Sequence, residues 1–117
     1  MNYVYLIGNK NVGVYKIGAT KSPENRLKTN QTSCPYELEI IYVFKSEYAY
    51  KLEKVLHKDF FLFKKDENDN KIRGEWFSLT NEQIENFKDK CILYENNFKF
   101  LKESNNHFFN KDLKKQK

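Results

Sequence analysis

Apolar residues fall along this chain in runs whose spacing predicts its elements. Tyr3-Val4-Tyr5-Leu6-Ile7 is a β-branched and aromatic run, and Val12 to Ala19 is a second, with Gly8-Asn9-Lys10-Asn11 between them. Two such runs joined by Gly and Asn predict a β-hairpin. At Ser22-Pro23-Glu24 the pattern changes: a serine that can cap, a proline suited to the first helical position and an acid in the first turn predict a helix. It should run to about Thr32 and end before Cys34-Pro35, because proline disfavours the helical conformation in the residue before it. Leu38 to Phe44 reads as a third strand. From Glu47 to Phe63, Tyr48, Leu52, Val55, Leu56, Phe60 and Phe63 recur at helical spacing without Gly or Pro, which predicts the main helix.

Lys64 to Arg73 is polar and charged and reads as a loop, and Gly74 precedes a short aromatic strand or edge segment, Glu75-Trp76-Phe77-Ser78-Leu79. Thr80 and Gln83 have the spacing of a capping box and predict a last helix from Asn81 to about Asn96. Beyond it, Phe100, Leu101, Phe108, Phe109 and Leu113 alternate with lysines up to Lys114-Lys115-Gln116-Lys117. The expected fold is α+β: a small, mainly antiparallel sheet flanked by helices. Residues 1–93 form its domain, and residues 94–117 form a basic, amphipathic, helical C-terminal extension.

Composition narrows the function. A chain of 117 residues amounts to one domain, and its 8 Tyr, 10 Phe and 1 Trp supply a core of large side chains. A domain this small favours a compact site on an open face, acting on a large ligand, over a multi-pocket metabolic enzyme. Cys34 and Cys91 lie far apart, lack CxxC pairing and are joined by only two histidines, so neither a disulfide framework nor a zinc cluster is indicated. A reducing, intracellular setting is expected, in cytoplasm or in nucleoid or nucleus. The first apolar run has no basic region before it and no cleavage site after it, so it reads as a strand and not as a signal peptide. No apolar run approaches the roughly 20 residues that cross a bilayer.

Charge is uneven. Residues 1–36 carry Lys10, Lys16, Lys21, Arg26 and Lys28 against Glu24 alone, the middle of the chain is slightly acidic, and the last nineteen residues are basic again. Positive ends around an acidic middle fit a polyanion, most plausibly nucleic acid, with Lys10, Lys21 and Lys28 as candidate contacts. Surface lysine serving solubility, or the codon bias of an AT-rich viral or bacterial genome, would give a similar composition.

Period-two alternation puts Tyr3 and Tyr5 on one face of the first strand, and Val14, Lys16 and Gly18 on one face of the second. Tyr5 and Lys16 are thus expected to meet across the hairpin, with Arg26 folding back over it from the second turn of the capped helix. Glu53 and His57, four apart, share a face of the main helix. Tyrosine, lysine, arginine and a carboxylate make a coherent kit for cutting a phosphodiester.

At this point the chain resembles the GIY-YIG endonuclease superfamily. The resemblance rests on Tyr3-Val4-Tyr5, Val14-Tyr15-Lys16-Ile17-Gly18-Ala19-Thr20, Arg26 and Leu52-Glu53. Ser33-Cys34-Pro35-Tyr36, Leu52-Glu53-Lys54-Val55-Leu56-His57 and Gly74-Glu75-Trp76-Phe77 make it similar to a branch of small phage, viral and bacterial proteins with a Lys-Ile-Gly second motif. The resemblance spans about residues 3–79, and five short motifs in order carry it. It implies a metal-dependent nuclease acting on DNA. Tyr5 would position or deprotonate the attacking water or relay its proton, Arg26 would hold the scissile phosphate, and Glu53 would bind one divalent metal, Mg²⁺ or Mn²⁺. One hard cation on a carboxylate suits that chemistry.

Two positions depart from the pattern. The second motif tyrosine falls at Lys16 and the first-motif glycine at Tyr3. A lysine stabilises phosphate, but with an unperturbed pKa of about 10.4 it needs burial or neighbouring cations to act as a base. Tyr15 should face the other way on a regular strand and is read as core. His57 is equally well a packing residue, or a base or ligand to the metal's water. Trp76 and Phe77 read as core, Glu75 as a partner for a cation of the site, and Cys34 and Cys91 as small buried hydrophobes. The basic tail is either a DNA clamp or a solvated end. Two other classes remain open: a nucleic-acid-binding module that keeps the fold without chemistry, and a protein-interaction domain using its aromatics. Cutting both strands with a one-site domain would need two copies, a homodimer, or two events.

Overall fold

The computed structural model describes residues 2–63 and 76–103. The loop expected at Lys64 to Arg73, Gly74 and Glu75, and the end of the extension with Phe108, Phe109 and Leu113, lie outside the described residues. In chain order the elements are β1 (Asn2–Asn9), β2 (Val14–Thr20), α1 (Pro23–Thr32), β3 (Glu39–Ser46), α2 (Ala49–Asp59), a 3₁₀ turn (Phe61–Phe63), β4 (Trp76–Ser78) and α3 (Asn81–Glu103). The strands form one sheet in the order β3-β1-β2-β4, with every neighbouring pair antiparallel. The fold is α+β, as the sequence pattern predicts.

Each element starts for a local reason. Asn9 organises the hairpin turn: its Oδ1 accepts from the amides of Asn11 and Val12 at 2.9 and 3.0 Å, and its Nδ2 donates to Glu37 O at 2.8 Å. Ser22 caps α1, with Oγ accepting from Asn25 N, and Pro23 occupies the first turn. The capping box of α3 closes in both directions: Gln83 N donates to Thr80 Oγ1 at 3.2 Å and Thr80 N to Gln83 Oε1 at 2.9 Å.

Four boundaries differ from expectation. The hairpin turn falls at residues 10–13, so Gly8 and Asn9 belong to β1 and Val12, expected in the second strand, lies in the turn. β3 continues to Ser46, whose hydroxyl accepts from Tyr48 N at 2.9 Å and so delays the start of α2 to Ala49. α2 stops at Asp59, and the last apolar residues before the loop wind as a 3₁₀ turn. α3 runs past Asn96 without a break to Glu103, because Phe98 and Leu101 carry its inner stripe onward.

The sheet is covered on both faces. Val4, Leu6, Tyr15, Ile17 and Ala19 of the hairpin pack with Leu52 and Leu56 of α2 and with Ile84, Phe87, Cys91 and Phe98 of α3. The other face carries a smaller cluster, Tyr5, Ile7 and Leu38, closed by Leu27 of α1 together with Cys34, Ile40 and Trp76. A register shift between Leu6 and Ile7 skips Ile41, which turns Ile41 and Tyr42 both toward the larger core. Each face also holds a tyrosine over a glycine. In the β1–β2 register Tyr5 stands opposite Gly18 and Tyr15 opposite Gly8, and a Cβ on either glycine would collide with the facing ring. These glycines are needed for close approach, letting two large rings lie flat on a small sheet.

Candidate functional site

Tyr5, Lys16 and the helix bearing Arg26 come to the α1 face of the sheet. Tyr5 is 1% exposed, and its ring and hydroxyl lie over Gly18. Lys16 is opposite Ile7, so it is Tyr5's diagonal neighbour and not its direct cross-strand partner. Two elements fix the lysine. Its Nζ donates to Asn30 Oδ1 on α1 at 3.0 Å, and it lies 5.8 Å from the ring centre of Trp76, its register partner on β4. Trp76 is therefore half-buried and holds a cation, where the sequence reading has it filling the core; Phe77 is fully buried.

Asn30 escapes sequence reading. Its side chain is 7% exposed, and its Nδ2 has no hydrogen-bond partner among the described residues. A buried donor left unpaired costs about 1–3 kcal/mol, and here it stands beside an ammonium group, so this corner concentrates N–H donors. The available signal is positional: Leu27, Asn30 and Gln31 make the inward face of α1, and an asparagine there stands on an apolar stripe. Arg26, one turn earlier, is exposed and makes no ion pair among the described residues. Lys21, before α1, Lys28, on it, and Lys10, at the hairpin tip, are exposed as well.

Glu53 and His57 belong to α2, which packs on the larger core. His57 Nε2 is 2.8 Å from Ile17 O and 3.8 Å from Glu53 Oε1, and its ring meets Phe77 edge-on at 5.1 Å. A carbonyl only accepts, so Nε2 carries a proton and any proton that the neutral ring takes up goes to Nδ1. Among the described residues β4 pairs with β2 over Val14 to Lys16, and Ile17 is the next residue along β2. His57 thus holds a β2 carbonyl from α2, which packs on the larger core, the side of the sheet opposite Tyr5 and α1. Neighbouring residues of β2 are thus contacted by Tyr5, over Gly18, and by His57, at Ile17 O.

Tyr15 does not stand in for the missing phenol. It is 2% exposed on the opposite face, and burial, with Glu39 adding to it, pushes its pKa up. Cys91 is fully buried, and burial followed by the charge of Glu95 raises its thiol to about 12. Cys34 is only half-buried, against the expectation of a core thiol. Among the described residues no group of three or more His, Cys, Asp or Glu is placed to hold a metal ion, and no helix is long and apolar enough to cross a membrane. The donor set at Glu53, one part-exposed carboxylate, fits a cation that draws its other ligands from water and phosphate oxygens, as Mg²⁺ does.

A four-stranded antiparallel sheet with α1 on one face and α2 and α3 on the other defines a small α+β domain. The chain matches the family model of the T5orf172 domain over residues 2–92, and it belongs to that family. The family is associated with nuclease-type folds, GIY-YIG-like and HNH-like, and suggests a nuclease or nucleic-acid-related role; the match carries no specific catalytic activity or metal dependence. No curated protein and no solved structure matched the chain.

Proposed function

We propose that the protein is a metal-dependent endonuclease that hydrolyses DNA phosphodiester bonds through a GIY-YIG-type site. The observation that supports this reading is a set of contacts on Lys16 to Gly18: Tyr5 over Gly18, Lys16 between Asn30 and Trp76, and His57, with Glu53 3.8 Å from it, on Ile17 O. Arg26 supplies an exposed guanidinium from α1, suited to bidentate contact with a phosphate. Arg26 and Lys16 neutralise the charge that develops on the phosphoryl oxygens. Tyr5 orients the attacking water, and His57 takes up or returns a proton at Nδ1 while Ile17 O holds the ring in place. Glu53 would hold Mg²⁺ or Mn²⁺, which supplies charge stabilisation at the leaving oxygen.

A second reading, a nucleic-acid-binding module without chemistry, is favoured by one feature: Tyr5 is almost wholly buried. DNA affinity measured against salt, alongside product formation with Mg²⁺, Mn²⁺ or EDTA on supercoiled plasmid and branched DNA, separates the two. Metal-dependent product supports the nuclease. Salt-sensitive binding without product under every condition supports the module, and absence of salt-sensitive binding refutes both.

A further inference from the structure

Next to Lys16, the turn that follows α1 forms an apolar depression of about 240 Å³ between the hairpin and β4. Trp76, Tyr36, Pro35, Cys34, Val14 and Leu38 make most of its wall. The depression is preformed. Gln31 Nε2 donates to Tyr36 O at 2.7 Å, Gln31 Oε1 accepts from Leu38 N at 2.6 Å, and Cys34 N donates to Gln31 O at 3.3 Å. One glutamine thus clamps the turn from both ends, while the ring of Tyr36 remains 46% exposed.

The surroundings indicate the occupant. The Lys16 ammonium lies 5.8 Å from the centre of the Trp76 ring, which itself lines the depression. On the hairpin side the next concavity joins Lys10 to Glu37 and Glu39, a poor path for a phosphate backbone. On the α1 side the next one is lined by Leu27, Lys28, Gln31, Thr32 and Leu38, with no carboxylate. Inside the depression, the Asn9 side chain is already spent on the hairpin turn and on Glu37 O. Aromatic walls, a cation against one of them, a carboxylate-free exit and few polar groups to read an edge suit a flat, uncharged ring attached to a polyanion.

We propose that this depression receives one unpaired nucleobase, packed against Trp76 and Tyr36, with its adjoining phosphate at Lys16 and the backbone leaving along α1 past Lys28. The proposal rests on the reading of the protein as one that handles nucleic acid, and it deepens that reading: the substrate is single-stranded or carries an extrahelical base. Capture is by stacking, so it tolerates any base.

Trp76 is the only tryptophan in the chain, so its emission reports on the depression directly. The 117-residue protein in EDTA is titrated with an unlabelled oligothymidylate while tryptophan fluorescence is followed. In parallel, labelled oligothymidylate and a labelled, fully paired duplex are titrated by anisotropy against wild type, Tyr36→Ala and Tyr36→Phe. The expected result is quenching of Trp76 that saturates with binding, and single-strand affinity weakened about tenfold in Tyr36→Ala, as loss of a stacking ring implies. Tyr36→Phe restores that affinity, and duplex affinity and melting temperature stay unchanged. Single-strand binding with no quenching and no loss in Tyr36→Ala overturns the pocket and leaves the proposed function standing. Absence of any DNA binding by anisotropy overturns both.

Discussion

Replacing Gly18 by alanine tests the packing at the centre of the candidate site. A Cβ at this position would run into the hydroxyl oxygen and Cζ of Tyr5 and stand 2.7 Å from its Cε2. The ring is 1% exposed and clustered with Ile7 and Leu38, so it cannot swing aside without disturbing them. Overpacking of this kind costs about 1–3 kcal/mol. With an unfolding entropy of roughly 2.1 cal/mol/K per residue, a loss of about 2 kcal/mol lowers the melting temperature by about 8 °C for a chain of this length. The informative comparison is a double-mutant cycle read by urea denaturation. In a Tyr5→Leu background the distal ring atoms are gone, and Gly18→Ala should then cost less than about 0.5 kcal/mol, giving a coupling energy above about 1 kcal/mol. Equal cost in the two backgrounds would refute the argument that Gly18 exists to admit Tyr5.

Ser46→Ala removes the hydroxyl that donates to the buried Glu95 carboxylate at 2.8 Å and accepts from Tyr48 N, so it should destabilise by about 1–3 kcal/mol in urea; a change below about 0.5 kcal/mol would contradict this. Asp59 sets an acid dependence. Burial alone would raise its pKa, but hydrogen bonds from Tyr94 Oη and from Lys90 Nζ at 3.0 Å outweigh burial and hold the carboxyl below its ordinary value. A lowered folded pKa means stability that is present above the unfolded value of about 3.9 and lost as pH falls through the folded one. Asp59→Asn should flatten that part of the stability profile below about pH 4, and an unchanged acid slope would sink the assignment. The same contact raises Tyr94 to about 12, chiefly through its hydrogen bond to Asp59, with burial adding to it. Ultraviolet titration of Asp59→Asn should return one tyrosine toward about 10.

Much of the fold is legible in the sequence because its signals are local. The Ser22-Pro23 start and the Thr80–Gln83 box are made by residues within a few positions of one another, and both are present as spaced, whereas the hairpin turn falls two residues later than its Gly–Asn run predicts. The end of α3 is less legible: Asn96 and Asn97 look like a stop, but they face solvent while Phe98 on the inner side is buried. The site mixes both kinds of information. Alternation puts Tyr5 and Lys16 on one face, yet only the register fixes Gly18 opposite Tyr5 and makes Lys16 diagonal. The partners of Lys16 lie 14 residues away at Asn30 and across β4 at Trp76, contacts set by tertiary packing that no short-range pattern encodes.

The measurement closest to the central claim is nicking of supercoiled plasmid by wild type and Glu53→Gln, each purified and shown by circular dichroism to be folded, with Mg²⁺ and with EDTA. Cleavage by wild type in Mg²⁺ that EDTA abolishes, and that falls by at least about a hundredfold in Glu53→Gln, is the predicted result, in line with the several kcal/mol a metal centre supplies. Equal cleavage by folded Glu53→Gln, or none by wild type with any divalent cation on plasmid, branched or single-stranded DNA, would contradict it.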